Sequence, residues 1–255
     1  LIPDFGFITA AMAAIYMVVR FFHKQSFRSV TTARTKVDWN RIFFSFCIWA
    51  VISIAATMVS YFLMPEDFVW NFKPVPFIIL ALIAIPLIPV QTSTEEYIFR
   101  GYLMQGFANL AHNRWFPLLM TSVIFGLMHI VNPEVEKLGY IIMVYYIGTG
   151  LFLGIITLMD DGMELALGFH AANNLIGALL VTTDWTAFQT NSILKDISEP
   201  TAGYDILLPI FIIYPILLFI FSKKYRWSNW KKKLTGKISF NGNAVSKYTD
   251  GQSDL

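Results

Sequence analysis

Seven long apolar runs constrain this chain more than any other feature. A helix needs about 20 apolar residues to cross a bilayer, and all runs but the third are close to that length. Charged residues make up only 14% of the 255-residue chain, against about 25% in soluble domains. This composition excludes a soluble protein and predicts an all-α, polytopic helical membrane protein. The runs cover residues 3–22, 41–64, 76–110, 115–131, 138–159, 163–182 and 204–222.

Lysine and arginine are concentrated in two segments. Six of the 19 lie around the first loop, and eight lie in the tail after residue 222. Such clusters favour the cytoplasmic side of a membrane and fit anionic lipid headgroups better than nucleic acid. We therefore predict a single transmembrane helical domain over residues 1–222 and a basic cytoplasmic tail, partly disordered, over residues 223–255. Asp160 and Asp161 fall on the same side and do not fit this charge pattern.

The third apolar run is too long for one upright span and too short for two. At 1.5 Å per residue it would be a helix of about 50 Å. One helix, kinked at Pro86 and Pro89, keeps the even number of spans between the two basic segments. A chain reversal near His112 would then bring Glu95 and His129 to similar depths, because each lies 17 residues from His112.

Two adjacent carboxylates lie inside this apolar run, where charge is costly and its presence indicates function. Glu96 and Arg100 are separated by four residues, so they share a helix face and can form an ion pair. Glu95 points about 100° away toward a different neighbour. One carboxylate can thus be held by arginine while the other acts as a base. The alternative is a structural salt bridge, which would explain Glu96 but leave Glu95 unpaired.

Two further polar pairs have helical spacing in later runs. Phe125 and His129 share one face, and His170 and Asn174 share another. Histidine and asparagine side chains are suitable donors to a developing oxyanion. They are equally suited to hydrogen bonds that only join helices, and spacing alone leaves both interpretations open. Asn173 points away from this face, so we expect it to be structural.

These three motifs occur in one order: Glu-Glu-x-x-x-Arg at 95–100, Phe-x-x-x-His at 125–129 and His-x-x-x-Asn at 170–174. Together they resemble the CPBP family of intramembrane proteases, which comprises CAAX proteases and bacteriocin-processing (Abi) proteins. Its eukaryotic relatives are the Rce1-type CAAX prenyl endopeptidases. The resemblance spans approximately residues 76–182, which we take as the catalytic core.

The resemblance implies an endopeptidase that cleaves a membrane-associated peptide or lipopeptide, in CAAX-type or in bacteriocin or signal-peptide processing. Glu95 looks like the general base, assisted by His129, while His170 and Asn174 would stabilise the oxyanion. Glu96, Arg100 and Phe125 would support these groups. The family is usually eight-helical, so we expect seven to eight transmembrane helices. We also expect an integral protein of a prokaryotic cell membrane, with lipid and substrate as its partners.

The need for a metal is open at this point. Glu95, His129 and His170 could hold a divalent ion such as zinc, but no His-Glu-x-x-His motif is present. We favour activation of water by glutamate, without a cofactor. Two other functions fit buried Glu and His side chains: a proton- or ion-coupled transporter, and a non-catalytic immunity or scaffold protein.

Overall fold

The computed structural model describes residues 2–201 and 203–238. Most of these residues are helical, as the sequence predicts. The helices in chain order are α1 (Ile2–Met17), α2 (Phe27–Thr31), α3 (Trp39–Leu63), α4 (Pro74–Glu96), α5 (Met104–Ala111), α6 (Trp115–Leu127), α7 (Pro133–Leu138), α8 (Ile142–Asp160), α9 (Glu164–Leu180), α10 (Tyr214–Tyr225) and α11 (Trp230–Thr235). Short π-helical turns cover Val18–Phe22, Tyr97–Leu103 and Pro209–Ile213, and 3-10 turns cover Pro65–Asp67 and Tyr204–Leu207.

Three of these helical segments are long and apolar enough to cross a membrane: α3, the continuous helix Pro74–Ala111 and α8. Shorter apolar helices cover Ile8–Phe22 and Trp115–Leu127. The chain is therefore a polytopic helical membrane protein, which confirms the predicted fold class. The expected number of seven to eight spans stays a prediction, because the remaining apolar runs form shorter or interrupted helices.

The third apolar run forms one helix of 38 residues, Pro74–Ala111. Pro86 and Pro89 both lie inside α4, and α5 ends at His112, whose φ of 53° is left-handed. The helical hydrogen-bond pattern changes immediately after Glu96, where a π-helical turn links α4 to α5. Such insertions are rare and occur frequently at functional sites. The sequence did not indicate this turn.

A small sheet that the sequence did not indicate closes one end of the bundle. Strand β1 (Phe68–Trp70) pairs antiparallel with β3 (Leu194–Asp196), and β2 (Val181–Thr182) pairs parallel with the other edge of β3. The strands have only two or three residues, and β1 lies more than 100 positions before β2 and β3. No local periodicity could therefore reveal them.

The other end of the bundle is held by ion pairs. Arg34 Nη2 lies 2.9 Å from Asp160 Oδ2, and Arg34 Nη1 lies 3.0 Å from Glu164 Oε2. Lys233 in the tail bonds to Asp161. The first loop and the tail therefore meet at the same end, and Asp160 and Asp161 are there as partners for their cations. The tail's predicted disordered end, residues 239–255, lies outside the described residues.

The core lies where α3, α8, α9 and α10 meet. Trp49, Phe152 and Phe169 pack around the ring of Tyr214, with ring centroids 4.4 to 5.9 Å apart. A Cβ on Gly168 would lie only 2.1 Å from the carbonyl oxygen of Ile42, so glycine permits α9 to approach α3 closely. This packing fixes the position of α9, which carries two of the predicted site residues.

Candidate active site

The buried end of α4 carries a hydrogen-bonded ion pair. Arg100 Nη1 donates to Glu96 Oε1 over 3.0 Å, and both side chains are 0% exposed. Arg100 Nη2 donates to the carbonyl oxygen of Gly150 over 3.0 Å. The guanidinium carbon lies 4.6 Å from the centroid of the Phe125 ring, a distance typical of a cation–π contact. Contacts from α4, α6 and α8 thus hold Arg100 in one orientation.

His170 on α9 completes this cluster. Its Nδ1 lies 2.8 Å from Glu96 Oε1, the oxygen that also accepts from Arg100. A carboxylate can only accept, so Nδ1 carries the proton. His170 Nε2 lies 3.8 Å from Glu95 Oε2. The sequence paired His170 with Asn174 alone and did not indicate the bond to Glu96, which joins residues 74 positions apart.

Glu95 differs from Glu96 in its surroundings. Its side chain is 27% exposed, against 0% for Glu96. Among the described residues, the basic side chain within 4 Å of its carboxylate is His170, on α9. The sequence led us to expect that Glu95 would face His129. Glu95 and His129 line the same cavity, but the ion-pair contact of Glu95 is with His170.

His129 lies in the turn after α6, which ends at Leu127. Its Nδ1 lies 2.9 Å from the carbonyl oxygen of Phe125. A carbonyl only accepts, so Nδ1 donates, and in the neutral ring Nε2 keeps a free lone pair. The ring stacks on Tyr146 with centroids 4.4 Å apart and planes 20° apart. These two contacts fix the ring and leave Nε2 able to accept a proton.

Asn174 is oriented by a chain of two hydrogen bonds. Trp49 Nε1 donates to Asn173 Oδ1 over 3.1 Å, and Asn173 Nδ2 donates to Asn174 Oδ1 over 3.1 Å. Because its oxygen is occupied, Asn174 is left with its amide N–H groups as donors. The sequence indicated a structural role for Asn173 but could not indicate its partner, since Trp49 lies 124 residues away.

One cavity of about 420 Å³ brings the predicted residues together. Glu95, His129, His170, Asn174 and Phe125 all line it. They come from three separate helical segments. Sequence reasoning missed several polar side chains of the same wall, because no motif marks them: Gln91, Asn132, Glu134, Tyr146 and Thr149.

The candidate metal ligands do not form a cluster in the described part of the chain. In the part of the chain that the structure describes, no three His, Cys, Asp or Glu side chains are grouped so that they could hold a metal ion. His170 Nδ1 already donates to Glu96, and His129 Nδ1 donates to Phe125. The set that we considered for zinc, Glu95, His129 and His170, lines the cavity without converging on one point.

Comparison with known proteins identifies the segment that holds this site. Residues 70–176 match the model of a family described as Rce1-like, type II CAAX prenyl endopeptidases. This segment is similar to the Rce1-like family. It contains every predicted site residue from Glu95 to Asn174.

A similar protein is the uncharacterized protein YyaK of Bacillus subtilis. It is 34% identical over 173 residues, which is 68% of this chain and 58% of YyaK. The chain thus spans less than two thirds of the length of that relative. No solved structure matches the chain.

Proposed function

We propose that this protein is an intramembrane endopeptidase that hydrolyses a peptide bond in a membrane-associated peptide or lipopeptide, by means of a water molecule activated by Glu95. The observation that carries the proposal is the single cavity lined by Glu95, His129, His170 and Asn174. All four residues lie within the segment that matches the model of an endopeptidase family.

Glu95 is the proposed general base. Arg100 pairs with Glu96, and among the described residues Glu95 forms no ion pair with an arginine. The Glu95 carboxylate reaches the cavity. A water between Glu95 and Nε2 of His129 could donate one proton to each acceptor. Glu95 then takes a proton as the water oxygen attacks the carbonyl carbon, and returns it to the departing amine when the C–N bond breaks.

His170 and Asn174 are the proposed oxyanion donors. The amide nitrogen of Asn174 is available because Asn173 occupies its oxygen. His170 can donate from Nε2 only as an imidazolium, since Nδ1 already donates to Glu96. When His170 is charged, Arg100 and His170 together balance the charges of Glu95 and Glu96. Donors fixed before reaction stabilise a developing negative charge at little reorganisation cost.

We propose that this reaction requires no metal. The support is that, in the part of the chain that the structure describes, no three metal-binding side chains are grouped together. Metal analysis of the purified protein, together with activity after treatment with a chelator, tests the proposal. We expect the chelator-treated protein to be as active as the untreated protein. Loss of activity that zinc restores would contradict it.

The test of the function is the substitution Glu95→Gln, which removes the base and keeps the shape. We expect membranes with the wild-type protein to contain cleaved peptides that are absent with Glu95→Gln, in a comparison by proteomics. The exposed Glu66 provides the matched control, and Glu66→Gln should cleave as the wild type does. Unchanged cleavage in Glu95→Gln would contradict the proposal.

Two other functions predict different outcomes in the same variants. A transporter would carry protons or ions in proteoliposomes and yield no peptide products. An immunity or scaffold protein would keep its cellular role with Glu95→Ala. CAAX-type and bacteriocin or signal-peptide processing are separated by whether the cleaved products are prenylated.

We also propose that the protein resides in a prokaryotic cell membrane with its basic tail in the cytoplasm. The support is the concentration of Lys and Arg in the first loop and the tail. The chain has one cysteine, Cys47. In a Cys47→Ser background, Lys231→Cys should resist a membrane-impermeant thiol reagent in intact cells and react after lysis. Labelling in intact cells would contradict this orientation.

A further inference from the structure

Glu134 is a second carboxylate in the catalytic cavity, and the proposed reaction does not use it. It lies five residues after His129, in the first turn of α7. It lines the same cavity as Glu95 and His129. It belongs to none of the three motifs, so neither the sequence nor the family match assigns it a role.

Only one of the two carboxylate oxygens of Glu134 has a hydrogen-bond partner among the described residues. Oε1 accepts from the backbone N–H of Ala187 over 3.0 Å, which ties the loop after β2 to the cavity wall. Oε2 is buried and has no hydrogen-bond partner among the described residues. A buried carboxylate oxygen without a donor is costly. A structural role in holding the loop therefore accounts for Oε1 but not for Oε2.

The two carboxylates that line the cavity outnumber the one cation, an imidazolium at His170, that the proposed reaction places there. The charged lining of the cavity consists of Glu95 and Glu134, with His129 and His170 as the titratable bases. Within the described part of the chain, no Lys or Arg lines the cavity. Lys137, one turn after Glu134, is exposed. Arg100 lies behind Glu96 and is committed to it.

We propose that Glu134 is a specificity-determining residue that binds a cationic nitrogen of the substrate. This inference rests on the proposed peptidase function. The preferred substrate then carries an ammonium or guanidinium group close to the bond that is cleaved, from a Lys or Arg side chain or from a free α-amino group. That cation supplies the donor that Glu134 Oε2 lacks, and its charge opposes the negative potential of the cavity.

The test uses three apolar peptides of one length, with an N-methylated backbone so that they cannot be cleaved. The first is acetylated and has one internal Lys. The second is acetylated with norleucine at that position. The third has norleucine and a free α-amino group. Binding to the detergent-solubilised full chain is measured by fluorescence anisotropy. A hydrogen bond between charged groups should improve affinity about tenfold.

The wild-type protein should bind the Lys peptide or the free-amine peptide about tenfold more tightly than the neutral peptide. The peptide that binds more tightly shows whether Glu134 prefers a Lys side chain or a free α-amino group. Glu134→Gln should abolish most of this gain, because glutamine keeps an acceptor for Ala187 but loses the charge. Glu136→Gln, at an exposed carboxylate on the same short helix, should keep it.

Equal affinity for all three peptides in the wild-type protein would overturn the proposal, whether or not any variant folds. A full gain retained in a folded Glu134→Gln would overturn it as well. Glu134→Asp keeps the charge and should keep a preference for the cationic peptide. Hydrolysis of cleavable peptides without regard to charge would refute the role of Glu134 and leave the peptidase intact. Ion flux without products would instead refute the peptidase.

Discussion

His170 and Arg100 bind the same carboxylate oxygen. His170 Nδ1 lies 2.8 Å from Glu96 Oε1, and Arg100 Nη1 lies 3.0 Å from it. Glu96 therefore links α4 to α9 through one buried atom, and it orients the ring whose Nε2 faces Glu95. The second glutamate of the motif is a positioning residue in the proposed site, and Glu95 remains for chemistry.

Arg100→Met should be strongly destabilising. It would leave the Glu96 carboxylate buried without its cation, and breaking such a pair costs about 3–5 kcal/mol. The double variant Glu96→Gln/Arg100→Met should lose less, because no uncompensated charge remains. The measurement is the free energy of unfolding in mixed micelles. Arg20→Met, at an exposed arginine, should change it by less than about 0.5 kcal/mol. An Arg100→Met protein as stable as Arg20→Met would contradict this account.

The sequence could predict contacts within one helix. The bond between Glu96 and Arg100 follows from a separation of four residues, which places both on one face. The chain reversal near His112 could be predicted from the length of the apolar run. These features depend on local periodicity, which a single sequence carries.

The sequence could not predict contacts that depend on how distant helices pack against each other. The bond from His170 to Glu96 requires the relative depth of α9 and α4, which a single sequence does not carry. The bond from Trp49 to Asn173 requires the rotation of α3 about its axis. Close helix approach also sets the position of Gly150, whose carbonyl holds Arg100. Such details come from packing between distant segments.

Tyr146→Leu should lower the turnover number about tenfold with a smaller effect on KM. The Tyr146 ring stacks on His129 at 4.4 Å, and loss of this contact would let the imidazole rotate about its bond to Phe125. Small misplacements of a catalytic group lower rates by up to about 100-fold. Tyr146→Phe keeps the stacked ring, so it should keep most activity. Steady-state kinetics on a cleavable peptide gives both constants. Equal losses in Tyr146→Leu and Tyr146→Phe would show that the hydroxyl, not the stack, matters.

Asn173→Ala should reduce turnover about tenfold through its effect on Asn174. Without the bond from Asn173 Nδ2, the Asn174 amide can rotate and present its oxygen instead of its N–H groups, which weakens oxyanion stabilisation. Trp49→Phe removes the donor to Asn173 but keeps an aromatic ring in the core, and it should lower turnover less than Asn173→Ala does. Asn109→Ala, at an exposed position of α5, is the control. If Asn173→Ala had the same turnover number as Asn109→Ala, the proposed orientation of Asn174 by Asn173 would be contradicted.

Gly150→Ala should separate α8 from α6 and loosen Arg100. The added Cβ would lie 2.9 Å from the carbonyl oxygen of Ser122 and 3.0 Å from its Cα, and backbone atoms cannot yield as a flexible side chain would. Overpacking of this kind costs about 1–3 kcal/mol. The shift would also move the Gly150 carbonyl away from Arg100 Nη2, which it holds at 3.0 Å, so activity should fall together with stability.

Gly106→Ala provides the matched control for this substitution, because Gly106 is also helical and a Cβ there meets nothing within 4 Å. Alanine is a better helix former than glycine, so Gly106→Ala should gain about 0.5–1 kcal/mol. The measurements are the free energy of unfolding and the turnover number of Gly150→Ala and Gly106→Ala. If Gly150→Ala were as stable and active as Gly106→Ala, the close approach of α6 and α8 would not be what holds Arg100 in place.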